Sequence, residues 1–447
     1  MQEYIEQEAL KIDKSYDPDL QIGSVLMDLD GRVVATVGSS KRKTQALEWD
    51  RATHSSLQPG STIKPVLVYP LALEQKEIYY SSKLDNSQIE KYRFEDGVFK
   101  PGPINVDGIY GDNILLPDAI ERSANCTVVN TMELIGGPTV VYEQAVTKMG
   151  FSMLTEDDSV NMGALSIGGM NGGVSVREMA ASYTFMGNGG LYYEPYTYYY
   201  VTDSEGNIII DNRDRIPKQA YSPETAGIMN RLLHYNMTNC AHTNAYLARV
   251  QGWDILGKTG TTDYNKDSWF CGLSPYASLA TWCGFDDPAT VSNNGRNVAI
   301  NFFSNIMGKY LSDKETKDFS IPSTLIKAQY NPYTGLIVST DDLSGKNIGY
   351  YTEDNMPSFG GYYDGYPEAT DANATDGDTD VTGENGDTGE TIDASVPDAS
   401  GEVPIEDPSN SGEDLPDEGT DVEPPEGGGE LSGDTPVEGG DATVPAV

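Results

Sequence analysis

The chain has 447 residues, enough for two or three domains, and its 69 acidic and 29 basic side chains give a net charge of −40. This balance excludes a nucleic-acid-binding role, because phosphate contacts need Lys and Arg. The sequence contains no run that reads as a signal peptide or a transmembrane helix. We therefore expect either a cytosolic protein or one whose membrane-targeting part is missing from this chain.

The negative charge is concentrated at the C-terminal end. The last basic residue is Lys346, and residues 368–447 contain 24 acidic and no basic residues. This segment repeats Gly, Asp, Glu, Thr and Pro, and it has too little apolar surface to offset the entropy lost on ordering. We predict that residues 368–447 form a disordered tail. Residues 346–367, rich in Tyr and Gly, are predicted to be a linker.

The N-terminal half begins with a charged segment of helical pattern, which we predict to be a linker helix over residues 1–20. Residues 21–37 read as a β-hairpin, because two β-rich runs flank an Asp-Gly turn. Residues 39–53 are polar and loop-like. The run STIKPVLVYPLALEQ then has helical periodicity, interrupted by Pro65.

The rest of the chain alternates between helical and strand patterns. Helices are predicted in 116–137 (with a break near Ser123 and Asn125), 174–190, 223–236 and 297–311, and strands in 253–262, 267–275 and 278–287. Strands at both ends with helices between them indicate an α+β fold, in which one sheet gathers distant strands around a helical lobe. We assign residues 21–345 to this domain.

Four cysteines are too few for a disulfide framework in a chain of this length. Cys271 and Cys283 are predicted on neighbouring strands. If Leu273 faces Ala280, the two cysteines point to opposite faces of the sheet and cannot bridge, whereas a slip of one residue would bring them together. We favour small buried hydrophobic residues for these two and for Cys126 and Cys240.

Three short motifs follow one another along the chain. They are Ser61-Thr62-Ile63-Lys64, Ser123-Ala124-Asn125 and Lys258-Thr259-Gly260. Each string alone occurs often by chance, but the ordered set is specific for a serine nucleophile with lysine assistance.

A serine hydroxyl needs an adjacent base to become nucleophilic at neutral pH. Ser61 and Lys64 stand three residues apart, so they share one face of a helix, and we expect Ser61 at its N-terminus, where the helix dipole favours negative charge. Burial and the second ammonium of Lys258 both disfavour the charged form of Lys64. Lys64 could then accept the proton of Ser61, although the base stays unassigned because the two lysines titrate as a coupled pair.

Ser123 and Asn125 face the same way on an extended segment. The hydroxyl of Ser123 can relay a proton to a leaving amine, and the amide of Asn125 can hold a substrate carbonyl or orient Lys64.

The third motif follows an apolar run and reads as an edge strand that could pair with an extended peptide. Gly260 lacks a side chain and would let a substrate backbone approach closely. Lys258, Thr259 and Thr261 suit a terminal carboxylate. The backbone N–H groups of Ser61 and Thr261 are the candidate oxyanion hole.

Three segments of the chain resemble those of a known family. Its segments QPGSTIKP, RSAN and GKTGTT are similar to the three active-site motifs of the penicillin-binding proteins and serine β-lactamases. The wider context, from about Gln21 to about Ser339, resembles the transpeptidase domain of class A penicillin-binding proteins. The resemblance implies a β-lactamase/transpeptidase-like fold, with an antiparallel sheet flanked by helices and a helical lobe.

The resemblance also implies a chemistry. Ser61 would attack the D-Ala-D-Ala bond of a peptidoglycan stem peptide, and an amine of a second stem peptide would then take the acyl group. Water as the acceptor would give carboxypeptidase activity, and β-lactams would acylate Ser61. The implied catalytic residues are Ser61, Lys64, Ser123, Asn125 and Lys258, and the implied substrate-binding residues are Thr259, Gly260 and Thr261. The resemblance implies no metal and no organic cofactor.

Class A proteins normally carry a membrane anchor and a glycosyltransferase domain upstream of this region. Neither is in this chain, so we expect the C-terminal part of a bifunctional cell-wall enzyme. Such an enzyme would act at the extracytoplasmic face of the bacterial membrane, held there by a segment outside this chain. Other cell-wall synthesis proteins are possible partners.

Three other functions are weighed against this interpretation. A β-lactamase needs fast attack by water, and Ser-Ala-Asn differs from the Ser-Asp-Asn of class A β-lactamases; the rate of penicillin turnover would separate the two. A non-catalytic β-lactam sensor or scaffold is disfavoured by the intact motifs. A Ser-His-Asp hydrolase is disfavoured because the chain has only His54, His234 and His242 and lacks G-x-S-x-G.

Overall fold

The structure is a computed structural model that describes residues 1–95, 97–292 and 295–360. The predicted disordered tail, 368–447, lies outside the described residues. The helices are α1 Gln2–Ala9, α2 Ile12–Ser15, α3 Val68–Glu74, α4 Leu116–Glu121, α5 Asn125–Leu134, α6 Pro138–Met149, α7 Met162–Ile167, α8 Val176–Tyr183, α9 Phe185–Asn188, α10 Pro223–Thr238 and α11 Val298–Leu311. Short 3₁₀ helices span Gly60–Ile63, Glu156–Ser159, Ala245–Ala248 and Asp263–Asn265. Within the described ranges, each helix is too short or too polar to cross a membrane.

The strands are distributed along the whole described chain. They are β1 Gln21–Asp28, β2 Val33–Val37, β3 Lys83–Leu84, β4 Ile89–Glu95, β5 Val98–Gly102, β6 Ile114–Leu115, β7 Leu191–Tyr192, β8 Tyr200–Thr202, β9 Ile208–Asp211, β10 Lys218–Gln219, β11 Leu256–Thr261, β12 Asp267–Leu273, β13 Ala277–Gly284, β14 Ile326–Tyr330, β15 Ile337–Ser339 and β16 Ile348–Tyr351.

The central sheet joins strands from both ends of the domain, as predicted for an α+β fold. Its five antiparallel strands lie in the order β11-β12-β13-β1-β2. β1 pairs with β13 over its whole length, with Gln21 opposite Gly284 and Asp28 opposite Ala277. β1 also forms the predicted hairpin with β2. The order leaves β11, which carries the third motif, at one edge of the sheet.

Each face of the sheet is covered by its own hydrophobic core. On β12, Trp269 and Cys271 belong to the core shared with the helical lobe, whereas Phe270 belongs to the core shared with α1 and α11. Successive side chains of a strand point to opposite faces, so both sets are buried. This double burial explains why WFCGL reads as a continuous apolar run without strand-like alternation.

The register between β12 and β13 separates the two cysteines of this hairpin. Leu273 lies opposite Ser278, not Ala280, and Cys271 lies opposite Ala280. This register differs from the one considered from sequence by two residues, so the side chains keep the same faces. Cys271 and Cys283 accordingly lie in different cores as free, buried thiols, and burial raises the pKa of both.

The predicted N-terminal linker helix is packed against the domain. It forms α1 and α2, whose Ile5, Ala9 and Ile12 are buried in the core that also contains α11. The side chain of Gln2 pairs with the backbone of Thr36 on β2, donating to its carbonyl at 2.8 Å and accepting from its N–H at 3.0 Å. The segment thus covers the outer edge of β2, which would otherwise expose unpaired backbone groups.

The linker predicted for residues 346–367 is wrong for Ile348–Tyr351, which form β16. This strand pairs with β14, and β14 also pairs with β15 in a three-stranded antiparallel sheet. Tyr351 is buried, and its hydroxyl lies 2.8 Å from the hydroxyl of Ser81. Tyr is a strong strand former, and burial alternates along IGYY, so the Tyr-Gly composition that suggests a linker also suits a strand.

We expect Tyr351→Ala to lower the free energy of unfolding by about 3–5 kcal/mol, because it leaves an aromatic-sized cavity in the core. Tyr351→Phe keeps the ring and removes one hydrogen bond, so it should lower that free energy by only about 1 kcal/mol. Urea unfolding followed by tryptophan fluorescence measures both values. A Tyr351→Ala protein as stable as the parent would show that β16 is not part of the cooperative unit.

Candidate active site

Ser61 lies on the short 3₁₀ helix Gly60–Ile63. The α-helix predicted to begin at Ser61 is wrong in this detail, because α3 begins only at Val68, beyond Pro65. Residues three apart eclipse one another in a 3₁₀ turn, so Ser61 and Lys64 still share one face. One short turn does not provide the dipole of a long helix, so that predicted contribution falls away.

Two buried aromatic side chains fix the backbone on both sides of Ser61. The indole N–H of Trp269 donates to the carbonyl of Gln58 at 2.9 Å, and the hydroxyl of Tyr183 donates to the carbonyl of Thr62 at 2.7 Å. Both aromatic rings are buried in the core beneath the turn. The position of Ser61 is therefore set by the sheet and by α8 together.

Gly168 packs directly on this turn. It ends α7 with a φ of 84°, and its carbonyl accepts a hydrogen bond of 3.3 Å from the N–H of Gly60. A Cβ atom on Gly168 would lie 2.6 Å from the Cα of Gly60. Glycine is required here by both the backbone angle and the close approach.

Lys64 is buried at the end of the Ser61 turn. Its Nζ donates to Asn125 Oδ1 at 2.6 Å and to the carbonyl of Ser123 at 2.8 Å, with the carbonyl of Ala124 at 3.3 Å. Burial, and then the charge of Lys258, lower the pKa of Lys64 well below its usual range. A neutral amine has two N–H groups, so the two shorter contacts use both and leave the lone pair available.

The side chain of Asn125 orients Lys64, which is one of the two roles predicted for it. Its Oδ1 accepts from Lys64, and its Nδ2 donates to the carbonyl of Ile104 at 2.7 Å. The start of α5 is held by Asn105, whose Oδ1 accepts from the backbone N–H groups of Asn125 and Cys126 at 2.7 and 3.0 Å. Sequence reasoning missed Asn105, because no recognisable motif surrounds it.

Ser123 lies at the predicted break between α4 and α5, with a φ of 56°, and Asn125 is the first residue of α5, so the extended segment predicted for these two residues is wrong. A left-handed conformation is uncommon for a residue with a side chain, and such strained positions cluster at functional sites. The Oγ of Ser123 accepts a hydrogen bond of 3.0 Å from Nζ of Lys258, and its carbonyl accepts from Lys64. Ser123 therefore contacts both buried lysines.

The register of β11 directs Lys258 toward the helical lobe. Lys258 lies opposite Cys271, which faces the core shared with that lobe, so their side chains are on the same face of the sheet. Burial lowers the pKa of Lys258 to about 8, although the Glu121 carboxylate acts in the opposite direction. Lys258 is fully enclosed, and its Nζ reaches Ser123 from below the groove.

The eight residues predicted from the motifs come together around one groove of about 570 Å³. Its lining includes Ser61, Ser123, Asn125, Thr259, Gly260 and Thr261. Lys64 and Lys258 are buried and contact the groove through Ser123 and Asn125. Within the described ranges, the hydroxyl of Ser61 makes no side-chain hydrogen bond, so it is free to rotate toward Lys64 or a substrate.

The reason predicted for Gly260 differs from what the structure shows. A Cβ atom at Gly260 would lie 2.6 Å from the carbonyl oxygen of Pro59 and 2.8 Å from a methyl carbon of Thr62. The missing side chain therefore accommodates the turn that carries Ser61. β11 is an edge strand of the sheet, as predicted, although Asn236 on α10 donates to the carbonyl of Gly257 at 2.7 Å.

Two further groups at the groove were not expected from the sequence. His242 lines the groove, and its Nδ1 lies 2.6 Å from the buried carboxylate of Glu121, which also accepts from the backbone N–H of His242 at 2.8 Å. Glu121 stands two residues before Ser123, but nothing in the sequence links it to a histidine 121 positions away.

Comparison with known families accounts for this arrangement. Residues 22–308 match the family described as "Penicillin binding protein transpeptidase domain". The chain belongs to this family. Penicillin-binding protein 1A of Clostridium acetobutylicum is 33% identical over 305 residues, which are 66% of this chain and 36% of that protein. The Aquifex aeolicus protein of the same name is 27% identical over 70% of this chain and 41% of its own length.

Solved structures of penicillin-binding proteins share the fold. Penicillin-binding protein 1A of Haemophilus influenzae has a TM-score of 0.61 at 23% identity, covering 76% of this chain and 54% of that one. PonA1 of Mycobacterium tuberculosis, solved with penicillin V, has a TM-score of 0.60 at 24% identity, covering 72% and 86%. These likenesses confirm the predicted fold class. The chain spans little more than a third of the length of the curated relatives it matches.

We expect Gly168→Ala in this penicillin-binding protein domain to lower the free energy of unfolding by about 1–3 kcal/mol or more, because the new methyl group overlaps the Gly60 backbone. The neighbouring Gly169→Ala is a matched control, since a Cβ atom there meets nothing within 4 Å. Urea unfolding compares the two variants. Equal stability of the two proteins would contradict the close packing of α7 on the Ser61 turn.

Proposed function

We propose that the chain is a peptidoglycan D,D-transpeptidase with Ser61 as its nucleophile. The observation that carries this proposal is the contact of Ser123 with two buried lysines in the groove that Ser61 lines. This arrangement offers a proton acceptor on the same turn as the nucleophile, and a hydroxyl that can relay a proton to the leaving group. Both are needed to break an amide bond through an acyl-serine.

The first half-reaction acylates Ser61. The lone pair of Lys64 takes the proton of the Ser61 hydroxyl, and the oxygen attacks the carbonyl between the two D-alanines. The C–N bond then breaks, and the departing nitrogen takes its proton through the hydroxyl of Ser123, whose other partner is Lys258. The backbone N–H groups of Ser61 and Thr261 would stabilise the oxyanion.

The part of the edge strand β11 that lines the groove, Thr259 to Thr261, is suited to hold the donor peptide as an added strand. Thr259 and Thr261 would then bind its terminal carboxylate, with the charge of Lys258 beneath them. A β-lactam presents a comparable amide and carboxylate, so the same groups would direct it to acylate Ser61. The substrates of this site are therefore stem peptides and, as inhibitors, β-lactams.

The second half-reaction decides between two activities. An amine of a neighbouring stem peptide gives a cross-link, whereas water gives carboxypeptidase activity. Rapid hydrolysis, as in a β-lactamase, needs a carboxylate that activates water, and Asp263 is the one carboxylate among the described groove-lining residues. It begins the short 3₁₀ helix after β11, and within the described ranges its side chain makes no hydrogen bond. This favours slow release of the acyl group over rapid penicillin turnover.

The relatives extend well beyond the matched region, which agrees with a longer native enzyme. We propose that this chain supplies the transpeptidase part of a bifunctional glycosyltransferase and transpeptidase. Its place would be the outer face of the bacterial membrane, where cell-wall cross-linking occurs, and its biological role would be cell-wall biogenesis together with other cell-wall synthesis proteins.

A fluorescent penicillin should add to one peptide only, the one containing Ser61. Ser61→Ala should abolish the label, because it removes the acylated oxygen. Ser204→Ala, at an exposed turn far along the chain, should label like the parent. Intact-mass and peptide-level mass spectrometry identify the adduct. A label that survives Ser61→Ala would reject this proposal, including its scaffold and sensor alternatives that share the same acylation.

The second-order rate constant for penicillin acylation should fall as the pH rises above about 8, because Lys258 then loses the charge that attracts the penicillin carboxylate. Glu121→Gln removes the anion that raises the pKa of Lys258, so this alkaline limb should move to lower pH by about one unit. Stopped-flow fluorescence over a pH series measures the limb. A limb that stays in place in Glu121→Gln would contradict the assignment to Lys258.

A further inference from the structure

A histidine fixed by a buried carboxylate lies on the wall of the groove. Neither the acylation nor the deacylation proposed for Ser61 uses it. Both oxygens of Glu121 contact His242, one at its Nδ1 and the other at its backbone N–H. Glu121 is buried, whereas about half of the His242 side chain is exposed, on the groove side of the pair. With Nδ1 donating to Glu121, Nε2 is the nitrogen that remains available to the groove.

The place where an acceptor amine must enter follows from the first half-reaction. The leaving amine departs next to the hydroxyl of Ser123, which gives it a proton. An acceptor amine attacks the same carbonyl from the position that the leaving amine vacated, since amide formation is the reverse of amide cleavage. The groove lining includes Arg122, the neighbour of Ser123 in the chain, and the loop residue His242, which is held by Glu121, two residues before Ser123. An acceptor that enters along these residues meets His242.

The acceptor brings one proton too many. A primary amine is an ammonium ion in neutral solution, with a pKa of about 10 for a lysine-type amine, and an ammonium nitrogen has no lone pair for attack. Lys64 and Ser123 are already occupied in returning a proton to the Ser61 oxygen. A separate base on the acceptor side would remove the excess proton, and an imidazole is suited to this task near neutral pH.

We propose, on the basis of the transpeptidase function proposed above, that His242 is the base that deprotonates the incoming acceptor amine and that Glu121 is its positioning residue. The ammonium gives one proton to Nε2 of His242, and its freed lone pair forms the new N–C bond with the acyl carbon. The bond from that carbon to the Ser61 oxygen breaks, and the second proton of the nitrogen passes through Ser123 to that oxygen. His242 then releases its proton to water.

The charges around His242 come from several elements. Glu121 on α4 contacts it directly, and Lys258 on β11 lies within the field of the same carboxylate. The carboxylate of Asp107 is paired with Arg122, which lines the groove. Arg296, which precedes α11, lines the same groove.

The test compares two nucleophiles on the acyl-enzyme formed from a D-alanyl thioester. D-Alanine must be a valid acceptor, because its attack on the acyl-enzyme reverses the acylation step. The two nucleophiles differ in protonation: the amine of D-alanine is an ammonium at neutral pH, whereas hydroxylamine is already unprotonated. The slope of deacylation rate against nucleophile concentration separates transfer from hydrolysis. His242→Ala should lower the D-alanine slope at least about tenfold, within the usual range for a general base. The hydroxylamine slope should change less than about twofold, and added imidazole should restore the D-alanine slope.

His234→Ala is the matched control. His234 makes a similar contact with Asp254, at 2.8 Å, but it lies on α10 and does not line the groove, so both slopes should match the parent. Glu121→Gln should lower the D-alanine slope less than His242→Ala does. Equal losses with both nucleophiles, no loss with D-alanine, or no rescue by imidazole would each overturn the role of His242. Penicillin labelling of Ser61 is the independent readout. It should persist in His242→Ala, and its absence in the parent protein would reject the transpeptidase function instead.

Discussion

The arrangement of the groove depends on two lysine side chains buried on either side of one serine. Taking two ammonium groups out of water is unfavourable, and their mutual repulsion adds to the penalty. The fold lowers it by surrounding Nζ of Lys64 with oxygen atoms and by placing Glu121 near Lys258. The remaining penalty lowers the pKa of both lysines. A lysine, which is ordinarily always charged at neutral pH, can then exchange protons. Ser123, in its left-handed conformation, contacts both lysines.

The motifs predicted which residues come together at the groove, because spacing within a turn or a strand is local information. Ser61 and Lys64 share one face of a turn, as their separation of three residues predicts. Ser123 and Asn125 both reach the groove, but not on the extended segment predicted for them. What sequence could not predict are contacts that depend on tertiary packing. Asn105 at the start of α5 and Glu121 beside His242 join segments that no pattern connects.

Strand assignment failed for a similar reason. β16 is a stretch of Gly and Tyr whose composition fits a linker and a strand equally, and only its pairing with β14 decides between them. The register between β12 and β13 was also undecided from sequence. The observed register differs by two residues from the one considered, and a shift of two leaves each side chain on the same face, so the two cysteines stay on opposite faces. Gly260 shows that a correct residue can be predicted for the wrong reason, since its missing side chain makes room for the turn of Ser61.

The two edges of the central sheet differ, because α1 covers β2 while Thr259 to Thr261 of β11 line the groove. The pairing of β1 with β13 inside the sheet also has a consequence for synthesis of the chain. The hydroxyl of Ser24 on β1 donates to the carbonyl of Ala280, 256 positions later, so the first strand leaves the ribosome long before its inner neighbour exists. Until then β1 can pair only with β2, and its apolar inner edge is open to other chains. Sheets of such long-range pairing form slowly, so the folding of this domain is expected to be completed only after its last third has been made.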